Sequence, residues 1–230
     1  MRAVIFDLDD TLVDQSSAAR TAAIAWGRDR GAAGEDDDLA RRWSEISNPH
    51  YARYQQRLAT FEEQRRARVR EFLPHLDLRD DAVADREFDA YLDLYVPAWA
   101  CFPDSVRTLR RVRAAGLLAT VLTNGDHEHQ TLKLELVGLS NEVDALFTSD
   151  QFPLGKPDRR PFLGSCARLG VAPSEAVMVG DSVTDDVEGA IAAGLAGVLL
   201  DRRDRHPDTE HTRIRSLDDL DVCAGARLET

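Results

Sequence analysis

A doubly wound α/β fold, with a parallel sheet interrupted once by a small helical bundle, follows from three features of the sequence. Short β-branched apolar runs recur along the chain, the pattern of strands buried on both faces. Segments of helical spacing separate them, as βαβ units require. One long stretch, residues 16 to 95, has no strand pattern and is rich in the stronger helix formers Ala, Arg, Glu and Leu.

The first run, Arg2-Ala3-Val4-Ile5-Phe6, ends abruptly in Asp7, and similar runs lie at Leu117–Leu122, Ala145–Thr148, Ala176–Val179 and Val198–Leu200. Helical spacing marks Ser105–Ala115, with Gly116 placed to end it, then His127–Val137, Pro161–Leu169 and Asp185–Ala193, closed by Gly194. The intervening stretch reads as about four helices punctuated by aromatics, from Trp26 and Trp43 to Phe88 and Tyr91. Within it, Gly31–Asp38 reads as a loop with Asp38 or an adjacent acid as the following helix cap. Asn48-Pro49 is expected to break a helix and Leu73-Pro74 to end another. The expected division is a core of residues 1–14 and 98–230 and a helical cap of residues 15–97, with one short element near residues 214–220.

Composition narrows the function. At 230 residues and 43% hydrophobic, the chain can bury a sizeable core. No apolar run reaches the ~18 residues of a membrane span, and the N-terminal run is too short for a signal-peptide core, so a cytoplasmic protein is expected. Cys101, Cys166 and Cys223 are odd in number and widely spaced, which argues against a disulfide framework and against a zinc site. The formal net charge of −12 repels nucleic acid and anionic membranes. It also repels phosphorylated small molecules, so any phosphate site here must carry its own positive charge.

Acids cluster after two strands. Asp7-Leu8-Asp9-Asp10-Thr11 follows the first, and Gly180-Asp181-Ser182-Val183-Thr184-Asp185-Asp186 follows Val177–Val179. The carboxyl ends of the strands form the ligand crevice of an open α/β sheet, so both clusters are expected in one cleft. Crowded carboxylates repel one another. A hard divalent cation with an oxygen shell, Mg²⁺, removes the conflict. Thr123-Asn124-Gly125 follows the strand Leu117–Leu122 and offers a hydroxyl and an amide to phosphate oxygens, although Asn-Gly alone is a common turn. Lys156, in Gly155-Lys156-Pro157-Asp158, is the natural counter-charge, although a loop lysine alone is commonly just solvated.

DLDDT, then TN after a strand, then GKPD, then GDSVTDD, taken in that order, resemble the motifs of the haloacid dehalogenase-like hydrolase superfamily, in the branch with a helical cap inserted after the first motif. The resemblance implies a phosphatase acting on a small phosphorylated metabolite through an aspartyl-phosphate intermediate. It makes Asp7 the nucleophile and Asp9 the general acid/base. An acid that must be protonated for the first step is expected in a drier setting than Asp7. Thr123, helped by Asn124, would bind the phosphoryl oxygens, and Lys156 would steady Asp7 and the phosphate. Mg²⁺ would be held by the Asp7 side chain, the Asp9 carbonyl, Asp181 and a second acid of the last motif. Asp186, preceding Val-Glu-Gly-Ala, is preferred there over Asp185.

The insert is expected to act as a lid hinged near Asp14–Ser16 and Ala98–Pro103. Most of its arginines (Arg53, Arg57, Arg65, Arg66, Arg68, Arg70) read as a solvated helix face paired with Glu62, Glu63 and Glu71. The oligomeric expectation is a monomer or homodimer. Rival readings on the same fold are a 2-haloacid dehalogenase, against which Asp9, Asp181 and Asp186 argue, and a phosphomutase, whose relatives often carry Gly where Asp10 stands. A non-catalytic binding protein is a third, and its signature, a lost catalytic acid, is absent.

Overall fold

The computed structural model describes residues 1–222, which divide into two compact units, Met1–Asp14 with the chain from Cys101 onward, and Gln15–Ala100. The first unit is built on a six-stranded, wholly parallel sheet. Its strands are β1 (Ala3–Phe6), β2 (Leu118–Thr123), β3 (Ala145–Thr148), β4 (Ala176–Gly180), β5 (Ala196–Leu200) and β6 (Arg213–Ile214), in the order β3-β2-β1-β4-β5-β6. β6 is the short element expected near residues 214–220, followed by a 3₁₀ turn at Leu217–Asp219.

Alternation along the strands sends side chains to two separate cores. Val4 and Phe6 join Val121, Val179, Leu109, Val112 and Leu134 on one face, beneath α5 (Ser105–Ala114) and α6 (His127–Leu136). Ala3 and Ile5 join Leu122, Met178, Phe162, Cys166 and Ala190 on the other, beneath α7 (Arg159–Leu169) and α8 (Gly189–Ala192). Both faces of the sheet are therefore covered, which explains why β1 reads as unbroken apolar sequence. Each large buried side chain of this kind contributes roughly 1.5–3 kcal/mol. Gly116 takes the left-handed conformation (φ +76°) after α5, as its position in the sequence predicted.

The second unit consists of α1 (Gln15–Asp29), α2 (Asp36–Gln55), α3 (Phe61–Phe72) and α4 (Asp81–Tyr95). Aromatics form its core. Trp26 stacks on Phe72 at 5.1 Å, and Trp43 meets Tyr91 at 4.7 Å and Phe72 at 5.2 Å. Three expectations fail here. Pro49 does not break a helix: it lies inside α2, where the buried face of Trp43, Ile46 and Tyr54 on either side of it keeps the helix continuous despite the lost N–H. The loop ends earlier than Asp38. α2 starts at Asp36 after a Glu35 cap that makes no side-chain bond, and Asp36, Asp37 and Asp38 occupy the first turn, where the helix dipole favours acids. The arginines of α3 are engaged mainly by acids of α4 and by aromatic rings. Arg66 pairs with Asp81 and Asp85 of α4, Arg70 pairs with Asp81, and Arg68 and Arg65 lie over the rings of Phe88 and, respectively, Trp43 and Phe61. Glu63, expected to pair with an arginine, instead closes a capping box with Thr60.

Cys101 and Cys166 are free thiols, and Cys223 lies outside the described residues. Among the described residues no helix is long and apolar enough to cross a membrane.

Candidate active site

Strand register places the site. β1 is central, with Phe6 opposite Val121 of β2 and Val179 of β4, so the ends of the three strands lie side by side. Asp7 follows β1, Thr123 is the last residue of β2, and Asp181 follows β4. The backbone past Asp7 folds tightly. Leu12 N and Val13 N both donate to Leu8 O, and Asp10 N donates to Val13 O. Asp10 sits at φ +59°, a left-handed conformation that a short acidic side chain tolerates. This tight turn leaves Asp7 and Asp9 at its mouth.

Carboxylate oxygens of Asp7, Asp181 and Asp186 lie within 4.8 Å of one another. Asp186, not Asp185, is the second acid of this group. A π-helical turn at Val183–Glu188 makes that possible: Asp186 N and Val187 N both donate to Ser182 O, and the widened turn swings Asp186 back under the strand. Asp186 Oδ2 then accepts from Ser182 N at 3.1 Å. Gly180 leaves the space this needs, since a Cβ there would fall 2.1 Å from Asp186 Oδ2.

Lys156 is buried among these acids. Its Nζ donates to Asp7 Oδ1 and to Asp186 Oδ1, each at 2.6 Å. Asn124 holds the lysine in place: its Nδ2 donates to Lys156 O at 2.8 Å and its Oδ1 accepts from Lys156 N at 2.7 Å. The Asn124 carboxamide, read from sequence as a helper in phosphate binding, is thus engaged across the cleft by the lysine loop.

One ammonium among three carboxylates leaves the cluster short of positive charge. Burial pushes the Asp7 carboxyl well above its ordinary range, Asp186, Asp181 and Asp9 push it further, and Lys156 opposes them. Burial, with Asp186 and Asp10, pushes Asp181 up to about 7. Burial pulls Lys156 down, but Asp186 and Asp7 outweigh it and hold the ammonium above its ordinary value. An all-oxygen donor set with this deficit suits a hard divalent cation.

Asp9 stands apart from that cluster. Its Oδ1 pairs with Lys133 Nζ at 2.5 Å, and its Oδ2 accepts from Gln130 Nε2 at 3.1 Å. The expectation of a drier Asp9 is reversed: its side chain is 21% exposed against 10% for Asp7. Asp7 ends a central strand with a neighbour on each side, whereas Asp9 lies two residues further out on the loop. Thr123 is buried, and its hydroxyl accepts from the same Gln130 amide at 3.1 Å. Sequence reasoning did not single out Gln130 and Lys133. Their signal is faint: two polar residues three apart on the α6 face that also carries Leu134 into the core.

Comparison with known proteins identifies the class. The haloacid dehalogenase-like hydrolase model matches residues 1–194, and the chain belongs to that family. The chain is 38% identical over 122 residues to ribulose-1,5-bisphosphate 5-phosphatase of Halopiger xanaduensis, an alignment covering 53% of this chain and 51% of that one, so it spans about half of that relative. Over nearly full length it is 26% identical to glyceraldehyde 3-phosphate phosphatase of Methanothermobacter thermautotrophicus, covering 95% and 93%. It is 31% identical to (S)-2-haloacid dehalogenase 1 of a Pseudomonas species, covering 88% and 85%. Among solved structures, the HAD-hydrolase YfnB of Bacillus subtilis, described as bound to magnesium, shares the fold with a TM-score of 0.76 at 21% identity, covering 94% and 95%.

Proposed function

We propose that this protein is a Mg²⁺-dependent phosphatase that hydrolyses a small phosphorylated metabolite through an aspartyl-phosphate on Asp7. The observation that carries the reading is the buried, charge-deficient group Asp7–Asp181–Asp186 with Lys156 bridging two of its members. The Asp7 side chain, the Asp9 carbonyl, Asp181 and Asp186 would hold the ion, and Mg²⁺ so bound supplies the positive charge that lets a phosphate dianion approach these acids.

Asp7 attacks phosphorus with the oxygen that Lys156 does not engage. The bond from phosphorus to the leaving alcohol breaks, and Asp9 delivers the alcohol its proton. Asp9, now a carboxylate, takes a proton from water as that water attacks phosphorus, which releases inorganic phosphate and restores Asp7. Division into two displacements replaces one difficult hydrolysis with two easier steps. Thr123 and backbone N–H groups of the loops contact the phosphoryl oxygens, and Lys156 balances their charge. Asn124 serves chiefly by fixing the Lys156 backbone.

Dehalogenation is the second reading, favoured by the similarity to a haloacid dehalogenase. It needs no proton for a departing halide and no divalent ion, so it leaves Asp9 with no leaving group to protonate and the three-acid group with no ion to hold. The two readings separate in one assay. Purified protein is screened against phosphorylated metabolites with Mg²⁺ and against 2-chloropropionate without it. Phosphate release that EDTA abolishes and Asp7→Asn eliminates supports the phosphatase. Chloride release without added metal, with no phosphomonoester hydrolysed, overturns it.

A further inference from the structure

Lys133 has no part in the chemistry above, yet it is 1% exposed. Lysine is almost never fully buried unless paired, and here the ammonium forms an ion pair with Asp9 Oδ1. Gln130, one turn earlier on the same face of α6, is also buried, and its Nε2 donates both to Asp9 Oδ2 and to Thr123 Oγ1. Both oxygens of Asp9 are therefore held from one helix, and the residue read as touching phosphate is tied to the same amide.

Two details indicate that this arrangement serves orientation. Gln130 Oε1 is buried without a hydrogen-bond partner, a penalty accepted so that Nε2 faces the carboxylate. Gly125, at the mouth of the β2–α6 turn, leaves room for that amide, because a Cβ there would fall 2.7 Å from Nε2. A carboxylate fixed by two donors keeps free lone pairs on each oxygen, and so remains able to accept a proton from water in a set direction.

We propose that Gln130 and Lys133 are positioning residues that aim the Asp9 carboxylate for the second step, hydrolysis of the aspartyl-phosphate, and that they fix Thr123 relative to it. The proposal rests on the phosphatase reading. Loss of either arm lets Asp9 rotate away from the water while leaving attack by Asp7 largely intact. Misplacement of a catalytic group by about 1 Å costs on the order of 100-fold.

The test uses p-nitrophenyl phosphate, whose leaving group departs without a proton, in rapid-mixing experiments with Mg²⁺. Lys133→Met and Gln130→Met should each give a burst of nearly one p-nitrophenolate per enzyme, followed by steady turnover about 10- to 100-fold below wild type, with KM changed no more than about threefold. In an Asp9→Asn background, Lys133→Met should have no further effect, because its action runs through Asp9. Unchanged turnover in both single variants overturns the proposal. So does an equal slowing by Lys133→Met with and without Asp9, or a loss of turnover with no burst. Two variants guard against a folding defect in one. Wild type that hydrolyses no phosphomonoester removes the phosphatase reading and this proposal with it, whereas an active wild type with unaffected variants removes the proposal alone.

Discussion

Two buried acidic sites in the first unit are handled in opposite ways. Asp104, just before α5, is 4% exposed and accepts from both Nη1 and Nη2 of Arg202 at 2.9 Å, from Ser216 Oγ at 2.8 Å and from Leu217 N at 2.9 Å. Burial raises it, but these four donors prevail, and its carboxyl stays below the usual range. Arg202 also donates to Thr11 O and lies 3.9 Å over the ring of Phe102, so the pair links the first loop, α5 and the strand-end segments. Asp7, Asp181 and Asp186 have one lysine among them, and Asp7 and Asp181 are displaced upward. Depth is common to both sites, so it marks neither as functional. The difference lies in compensation: Asp104 has its counter-charge and donors supplied by the chain, while the strand-end cluster is left in deficit, a condition that a folded protein keeps where a ligand completes it.

The comparison can be broken at either site, and the largest expected effect is on activity. Asp7→Asn should lower phosphate release by about 10⁴-fold or more, since the proposed pathway runs through that carboxylate. Circular dichroism and Tm in metal-free buffer should show an intact fold, because one member of a crowded acid group becomes neutral. Residual turnover near wild type would contradict the deficit as a catalytic device.

At the compensated site the loss should fall on stability. Arg202→Met leaves Asp104 buried without its partner and should cost about 3–5 kcal/mol. Calorimetry should register that as a drop of roughly 10 °C in Tm at about 2–4 °C per kcal/mol. kcat well below the transition should be nearly unchanged.

The third test uses the direction in which Asp181 is displaced. A carboxyl whose folded pKa is raised binds its proton more tightly when folded, so it subtracts stability as pH rises from about 4, the unfolded value, through about 7. In the presence of a chelator, Asp181→Asn should therefore be more stable than wild type by roughly 2–4 kcal/mol at pH 8, since each pH unit between the unfolded and folded pKa values is worth about 1.4 kcal/mol. The gap should close towards pH 4. Urea titrations of both proteins across that range measure it, and a gap that widens on acidification would reverse the electrostatic account. The smallest effect is on metal affinity. Protons compete for the same oxygens, so the apparent Kd for Mg²⁺ should rise by about tenfold per unit of pH below 7, read by calorimetric titration.

Much of this was legible because each motif lies where a strand stops. Asp7 and Asp181 follow from the ends of apolar runs, Lys156 only from the order of the motifs, and a parallel sheet converts that order into proximity. Asp186 is preferred over Asp185 through the motif resemblance alone; the π-helical turn that brings it to the group cannot be told in VTDDVE from an ordinary helix start. Asn124 was legible as polar and loop-borne, but its partner, the Lys156 backbone, is 32 residues away. Gln130 and Lys133 lay in a segment read only for its apolar spacing. Pro49 shows the converse: a local rule against helix was overridden by packing on both sides of it.

The arrangement β2-β1-β4 has one further consequence. Neighbouring strands are separated by ~4.8 Å because main-chain amides set that spacing. The lateral offsets between Asp7, Thr123 and Asp181 are thus inherited from peptide geometry and not from any side chain. Substitutions inside the two apolar layers will therefore tune how tightly the protein holds together while leaving those offsets nearly constant. Loop positions beyond the strand tips other than those of Asp9, Lys156, Asp181 and Asp186 are, by contrast, open to replacement without moving this group.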